Sequence, residues 1–336
     1  MRKFINKPQD VARETVEGFL AVHGDRFEAI PGTLAVRRRR LRDKVAVVSG
    51  GGSGHEPVWL EYIGTGFADA VCQGDVFAAP DPHSIAQAAK AVERGRGILF
   101  VYGNYSGDRL NFDLAAELLA EEGHRVRTVR VADDVAAAPP GRARDRRGIA
   151  GGYFVAKAAG AAAEAGLPLD VVHDVAARVA DATRSMGVAS GAGTVPGTGE
   201  PTFDLPEGHL EIGMGMHGEA GVRRAAMMTA DDTVDEMLER ILADRPVPDG
   251  DSVSVLVNGL GATTRAELLI IARRARHRLT RLGLTIHTLH LGNYATSQEM
   301  HGFSLTVSAT PRELREYYDA PAWASFLTGT KEVSGA

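Results

Sequence analysis

A single cysteine, Cys72, stands among 336 residues, which excludes an intrachain disulfide and any Cys-rich zinc spacing. Positive charge is not in excess either. The formal net charge is -5 and the pI about 6.1, without the electrostatic footprint of a nucleic-acid binder. The one basic run, Arg37 to Arg40 with Lys44 close behind, reads as a solvated loop or strand edge. No stretch reaches the roughly 18 apolar residues of a membrane span. The amino-terminal Met-Arg-Lys-Phe-Ile-Asn lacks the apolar core of a signal peptide. The setting implied is a reducing cytoplasm. Three motifs are also missing: a phosphate loop ending in Gly-Lys-Ser/Thr, a dinucleotide fingerprint and a Gly-x-Ser-x-Gly elbow. No His/Cys/carboxylate cluster has metal spacing, so no metal is expected on the chain.

What is present is the composition of a soluble globular chain, 44% hydrophobic and 24% charged, long enough for one large or two ordinary domains. Val11 to Val22 has helical periodicity. Lys44 to Ser49, Gly97 to Tyr102 and Val126 to Val131 are short β-branched runs, the first two stopping at glycine-bearing turns. Helices are predicted over Asn111 to Glu122, Ile149 to Ala165 and Leu169 to Thr183, with a surface loop at Ala137 to Arg147. Beyond Arg184 the composition shifts to Gly, Thr and Pro without helical period through Glu207. Strands are then predicted at Leu210 to Met216, Val253 to Val257, Thr285 to Leu291 and Phe303 to Val307, and helices at Asp232 to Leu242 and Glu267 to Leu282. Strands alternating with helices define an α/β fold, here two α/β domains, residues 1–184 and 185–336.

Three motifs carry chemistry. Ser49-Gly50-Gly51-Gly52-Ser53-Gly54-His55-Glu56-Pro57 follows a strand, and its glycines let backbone N–H groups approach a ligand. Gly103-Asn104-Tyr105-Ser106-Gly107-Asp108 ends the next strand. Asp108 reads equally as a base for a substrate hydroxyl or as the cap of the helix beginning near Asn111. Gly213-Met214-Gly215-Met216-His217-Gly218-Glu219 flanks His217 with glycines. The other histidines, His301 among them, read as structural.

Together the motifs resemble the dihydroxyacetone kinase family, specifically its ketone-binding K subunit. The resemblance rests on Gly50 to Pro57, on Asn104-Tyr105-x-Gly107-Asp108-x-x-Asn111-Phe112 and on Gly215-x-His217-Gly218-Glu219. Supporting stretches include Arg146-Arg147-Gly148-Ile149-Ala150 and Asn258-x-Leu260-Gly261-Ala262-Thr263, and the likeness runs to about Pro321. It implies a DhaK/DegV-like fold with mixed sheets. It also implies that the histidine matching His217 attacks the substrate carbonyl to form a hemiaminal, as neutral imidazole can near pH 7. Asp108 would take the proton of the terminal hydroxyl and His55 would hydrogen-bond the substrate, with Gly52, Ser53 and Gly103 as substrate contacts. The K subunit binds no nucleotide. A separate L subunit carries nucleotide and Mg²⁺, either ADP rephosphorylated by a phosphoenolpyruvate-dependent system or ATP used directly. A homodimer is implied. Many relatives have Lys where this chain has Gly103, and Gly-Asn-Tyr here resembles kinases of four-carbon ketoses such as erythrulose. Two other readings stay open: a K-like co-activator that binds the ketone and a transcription regulator, and a fatty-acid or other small-molecule carrier.

Overall fold

The computed structural model describes residues 3–327; the extreme ends of both expected domains, residues 1–2 and 328–336, lie outside the described residues. The chain forms two compact units, and their division does not fall at residue 185. One comprises Met1–Arg130, Val155–Arg178 and Glu316–Ala336, the other Val131–Phe154 and Val179–Arg315. Helical segments after residue 150 return to the first unit, which sequence periodicity alone does not reveal.

In the first unit, α1 (Val11–His23) buries Ala12, Val16 and Phe19, a single stripe at helical spacing. A six-stranded mixed sheet contains β1 (Phe27–Ala29), β2 (Ala35–Arg38), β3 (Ala46–Ser53), β4 (Ala70–Val76), β5 (Ile98–Gly103) and β6 (Val126–Val131), in the order β1-β2-β4-β3-β5-β6. The central strand β3 is buried along its whole length and runs parallel to both β4 and β5. On one face pack α2 (Pro82–Val92), capped by Asp81 accepting from Ser84 N at 2.9 Å, and α3 (Ser106–Glu121). Helices α4 (Gly152–Glu164) and α5 (Leu169–Ala182) lend residues 155–164 and 169–178 to this unit. In α4, a Cβ on Gly160 would overlap the backbone at Gly66, so only glycine permits that contact.

Two readings are corrected here. The first strand does not stop at its glycines: β3 continues through Gly50, Gly51, Gly52 and Ser53, in register with Cys72 to Val76 of β4. The basic run is not all solvated. Arg38 lies in an inner strand and is buried, 3.0 Å from Asp69 and 2.6 Å from Glu164, and buried Lys44 sits 2.5 Å from Asp69. Buried cations survive only when so paired.

The second unit holds a second six-stranded sheet. Its strands are β7 (Thr183–Gly191), β8 (His209–Ile212), β9 (Arg223–Ala226), β10 (Ser252–Gly259), β11 (Thr285–Gly292) and β12 (His301–Thr310), in the order β11-β10-β12-β7-β8-β9. Strand β7 takes in the start of the stretch beyond Arg184 that reads from its composition as Gly-, Thr- and Pro-rich and without helical period. α6 (Ala230–Asp244) and α7 (Arg265–Arg281) join its core, with Val234, Met237, Leu238, Leu268, Ile271 and Ala275 packed among Val188, Val255 and Leu305. α7 starts with a full capping box between Thr264 and Glu267.

Arg146 is fully buried and forks onto Asp244, which also accepts from Arg184 Nε at 2.7 Å; Arg146 Nε donates to Ala138 O at 2.7 Å. Asp244→Ala strands a buried guanidinium and is expected to cost about 3–5 kcal/mol. The measurement is urea unfolding, where the midpoint should fall with no change in slope; an unchanged midpoint would show that water replaces the carboxylate.

Candidate functional site

In the first unit the structure brings five of the expected site residues to one rim. β3 and β5 are parallel neighbours paired from Ala46–Ile98 to Ser49–Val101, so their carboxyl ends lie side by side. Gly52 and Ser53 end the first strand with His55 two residues beyond it, and Gly103 ends the second with Asp108 in the helix that follows. The carboxyl end of a parallel strand is where open α/β sheets bind ligands.

The glycines act through close approach. A Cβ on Gly50 would overlap the Cys72 carbonyl, one on Gly51 would lie 2.5 Å from Trp59 Cδ1, and one on Gly52 would lie 2.8 Å from Ala78 N. Ser53 Oγ donates to Gly74 O at 2.7 Å, which ties the hydroxyl into the sheet. The chain then turns at Gly54, whose positive φ of 95° suits glycine and whose N–H donates to the Glu56 carboxylate at 3.0 Å. His55 is buried, its ring 4.8 Å from that of Phe77.

Asp108 is buried in the first turn of α3, behind Tyr105 at the N-cap. It is therefore not the cap of a helix starting at Asn111. The helix starts five residues earlier, and its unpaired N–H groups and dipole favour a carboxylate at this position. The space beside Gly103 is bounded by two rings: a Cβ there would sit 3.3 Å from both Trp59 and Tyr105. Trp59 fills that space from one side. Phe100 and Tyr102 are instead committed to the core against Phe112.

His217 belongs to the second unit and lies in a loop, since β8 ends at Ile212 rather than near Met216. The loop is tied by Gly215 N to Glu219 O at 3.1 Å, Gly218 N to Gly215 O at 3.3 Å, and Ser297 Oγ to Met216 O. Glu219 grips His217 twice: Oε2 accepts its backbone N–H at 2.8 Å and Oε1 lies 3.3 Å from Nδ1. A carboxylate facing Nδ1 holds the proton there and leaves the lone pair on Nε2. Burial raises the Glu219 carboxyl, but the His217 hydrogen bond and the charge of Arg147, joined by that of His217 when its ring is protonated, overcome it and pull it down to about 2. Arg147 Nη1 lies 3.9 Å from Glu219, and Arg147 is itself held by Asp134 at 2.7 Å. A Cβ on Gly215 would come within 2.6 Å of Arg147 Nη1, so this glycine makes room for the charge pair. Glu219 and Arg147 lay inside motifs already singled out, but their role depends on side-chain direction, which spacing does not encode.

Among the described residues no group of three or more His, Cys, Asp or Glu side chains could hold a metal ion, and no helix is long and apolar enough to cross a membrane.

The Dak1 domain model matches residues 17–326. The chain belongs to the Dak1 domain family. It is 40% identical over 324 residues to the PTS-dependent dihydroxyacetone kinase 2, dihydroxyacetone-binding subunit DhaK, of Listeria innocua serovar 6a, covering 96% of this chain and 97% of that one. It is 39% identical to the L-erythrulose kinase of Pectobacterium atrosepticum, covering 96% of this chain and 55% of that longer protein. The solved structure of the dihydroxyacetone kinase operon co-activator Dha-DhaQ superposes with a TM-score of 0.88 at 27% identity, over 94% of this chain and 97% of that one. The fold expected from the resemblance is thus the observed one: two α/β units built on mixed sheets. Gly103 closes β5, where two rings already press on the backbone.

Trp59 rests on Gly51 and Gly103 at once, so Gly51→Ala must push the indole away. The expected loss is about 1–3 kcal/mol, with a red shift of Trp59 emission read in a Trp323→Phe background, since the chain has only two tryptophans. Unchanged emission would mean that the backbone rather than the ring yields.

Proposed function

We propose that this Dak1 chain is the substrate-binding subunit of a kinase for dihydroxyacetone or a ketotetrose such as erythrulose. It is a phosphotransferase component with an alcohol group as acceptor. The observation that carries the reading is the double grip of Glu219 on His217, which sets the ring tautomer that a nucleophilic Nε2 requires. Nε2 adds to the ketone carbonyl as its C=O double bond opens, the proton on Nδ1 is given up toward Glu219, the carbonyl oxygen takes one from solvent, and the ketone is held as a hemiaminal. A polyol has no carbonyl and is refused, so selection comes from a bond and not only from shape. Asp108 receives the proton of the terminal hydroxyl as phosphate arrives. His55 hydrogen-bonds the substrate, and Gly52, Ser53 and Gly103 line it.

Nucleotide and Mg²⁺ belong to a separate L-type subunit that docks on this one. Support for that partner comes from the DhaK subunit of Listeria, named as one subunit of a PTS-dependent kinase. A homodimer working in the cytoplasm completes the proposal. The likeness to a co-activator favours a second reading, in which the ketone is bound but not phosphorylated. Buried His55 and Asp108, set on one rim, favour the enzyme.

The test is phosphorylation of dihydroxyacetone, D-erythrulose and L-erythrulose with the cognate L subunit. Asp108→Asn should lose about 10²–10⁴-fold in rate while ketone binding persists. His217→Ala should lose binding as well. A chain that binds ketone but supports no turnover with any L subunit is a co-activator. Gly103→Lys drives a side chain between Trp59 and Tyr105 and should shift preference toward the triose. One small group in a pocket is worth about 1–3 kcal/mol, or roughly 10–200-fold in kcat/KM. A wild-type preference for dihydroxyacetone above about tenfold on that scale would remove the ketotetrose assignment.

A further inference from the structure

A second histidine of the same unit is gripped by a carboxylate, far along the chain from the motifs above. His301 begins β12, and Nε2 of its ring lies 3.3 Å from Glu267 Oε1. The other oxygen of Glu267 is occupied at the start of α7, accepting from Thr264 N at 2.8 Å and Thr264 Oγ1 at 2.6 Å. The carboxylate is thereby aimed. On the other side of the ring, Nδ1 is hydrogen-bonded to Ser190 Oγ. With the ring proton on Nε2, facing Glu267, Nδ1 is the acceptor and Ser190 the donor; His301 O, 3.4 Å away, is a second acceptor for the same hydroxyl.

Ser190 is set apart by its backbone. In the pairing of β12 with β7, His301 stands opposite Gly191 and Gly302 opposite Ala189, so Ser190 is the extra residue of a β-bulge. Bulges re-aim a side chain out of the regular alternation and are common beside active sites. Here Ser190, His301 and Glu267 all line a cavity of about 130 Å³ whose other walls include Leu210, Met228 and Phe303. Met227 and Ile270 stand 60% and 48% exposed on the same walls. A hydroxyl hydrogen-bonded to an imidazole, with a carboxylate 3.3 Å from the other ring nitrogen and an apolar slot beside them, resembles the arrangement of acyl-transfer triads on unrelated folds, whatever the order along the chain.

We propose that Ser190, His301 and Glu267 form a second, nucleophilic site that hydrolyses neutral esters of short apolar acids. Ser190 Oγ bonds the ester carbonyl carbon while its proton passes to His301 Nδ1, and Glu267 stabilises the imidazolium. Collapse of the adduct breaks the bond to the alcohol oxygen, which leaves with the proton from Nδ1. Water then adds to the acyl-serine by the same relay, releasing the acid and restoring Ser190. The apolar walls receive the acyl chain, and the charge of Glu267 disfavours anionic esters.

The test uses the full chain with a fluorophosphonate probe and with p-nitrophenyl butyrate, the adduct located by peptide mass spectrometry. Phosphonylation is expected on Ser190 and on no other serine, and it should vanish in Ser190→Ala and in urea-unfolded protein. His301→Ala should slow labelling by about 10²–10⁴-fold, the usual contribution of a general base. Glu267→Gln preserves the capping box but removes the charge, and should slow labelling while leaving the unfolding midpoint unchanged. Ser190→Ala should leave ketone phosphorylation with an L subunit intact, which separates this site from the first. No adduct on Ser190, an adduct equally abundant in unfolded protein, or labelling indifferent to His301→Ala would each overturn the proposal.

Discussion

The close approach of three backbones at the end of β3 is the constraint on which the first unit depends. Gly50, Gly51 and Gly52 lie in a fully buried strand, and the places where their side chains would stand are taken by the Cys72 carbonyl, the Trp59 indole and the Phe77–Ala78 backbone. A side chain at any of them would push β4, Trp59 or the Phe77–Ala78 turn outward. Because Trp59 also covers Gly103, the spacing between the ends of β3 and β5 follows from the same contact. The rim carrying His55 and Asp108 is therefore set by missing side chains as much as by those present. Glycine's usual cost in a strand is offset by packing that no other residue permits.

In the second unit the corresponding constraint is electrostatic. Two histidines each face a carboxylate, and the direction of approach decides what each ring can do. Glu219 meets Nδ1 of His217, so its lone pair sits on Nε2. Glu267 meets Nε2 of His301, so its lone pair sits on Nδ1, against Ser190. Neither carboxylate is left to orient itself. Arg147 lies against the first and the Thr264 cap holds the second.

Charge elsewhere is likewise placed for architecture. The Arg38–Asp69–Lys44 and Arg146–Asp244–Arg184 clusters join distant parts of the chain within each unit. Buried charges are costly unless fully paired, so such clusters accept few alternative partners and penalise misplaced segments. That is why a run of arginines that looks like solvated surface in one dimension contributes a core residue in three.

By itself the sequence determined the periodic helices, the β-branched strands and the three motifs, because repeating burial and glycine punctuation are local properties written at fixed spacing. His55, Asp108 and His217 stand out in the sequence as candidates because glycines lie beside them. Only the tertiary structure decided that β3 runs on through its glycines, since a glycine run reads as a turn until something is packed against it. It alone showed that Asp108 lies inside a helix rather than at its cap, and that segments after residue 150 return to the first unit. Ser190, Glu267 and His301 are separated by 77 and 34 residues, so their meeting depends on strand pairing, a bulge and a helix cap. Such long-range geometry leaves no periodic trace for a one-dimensional reading to find.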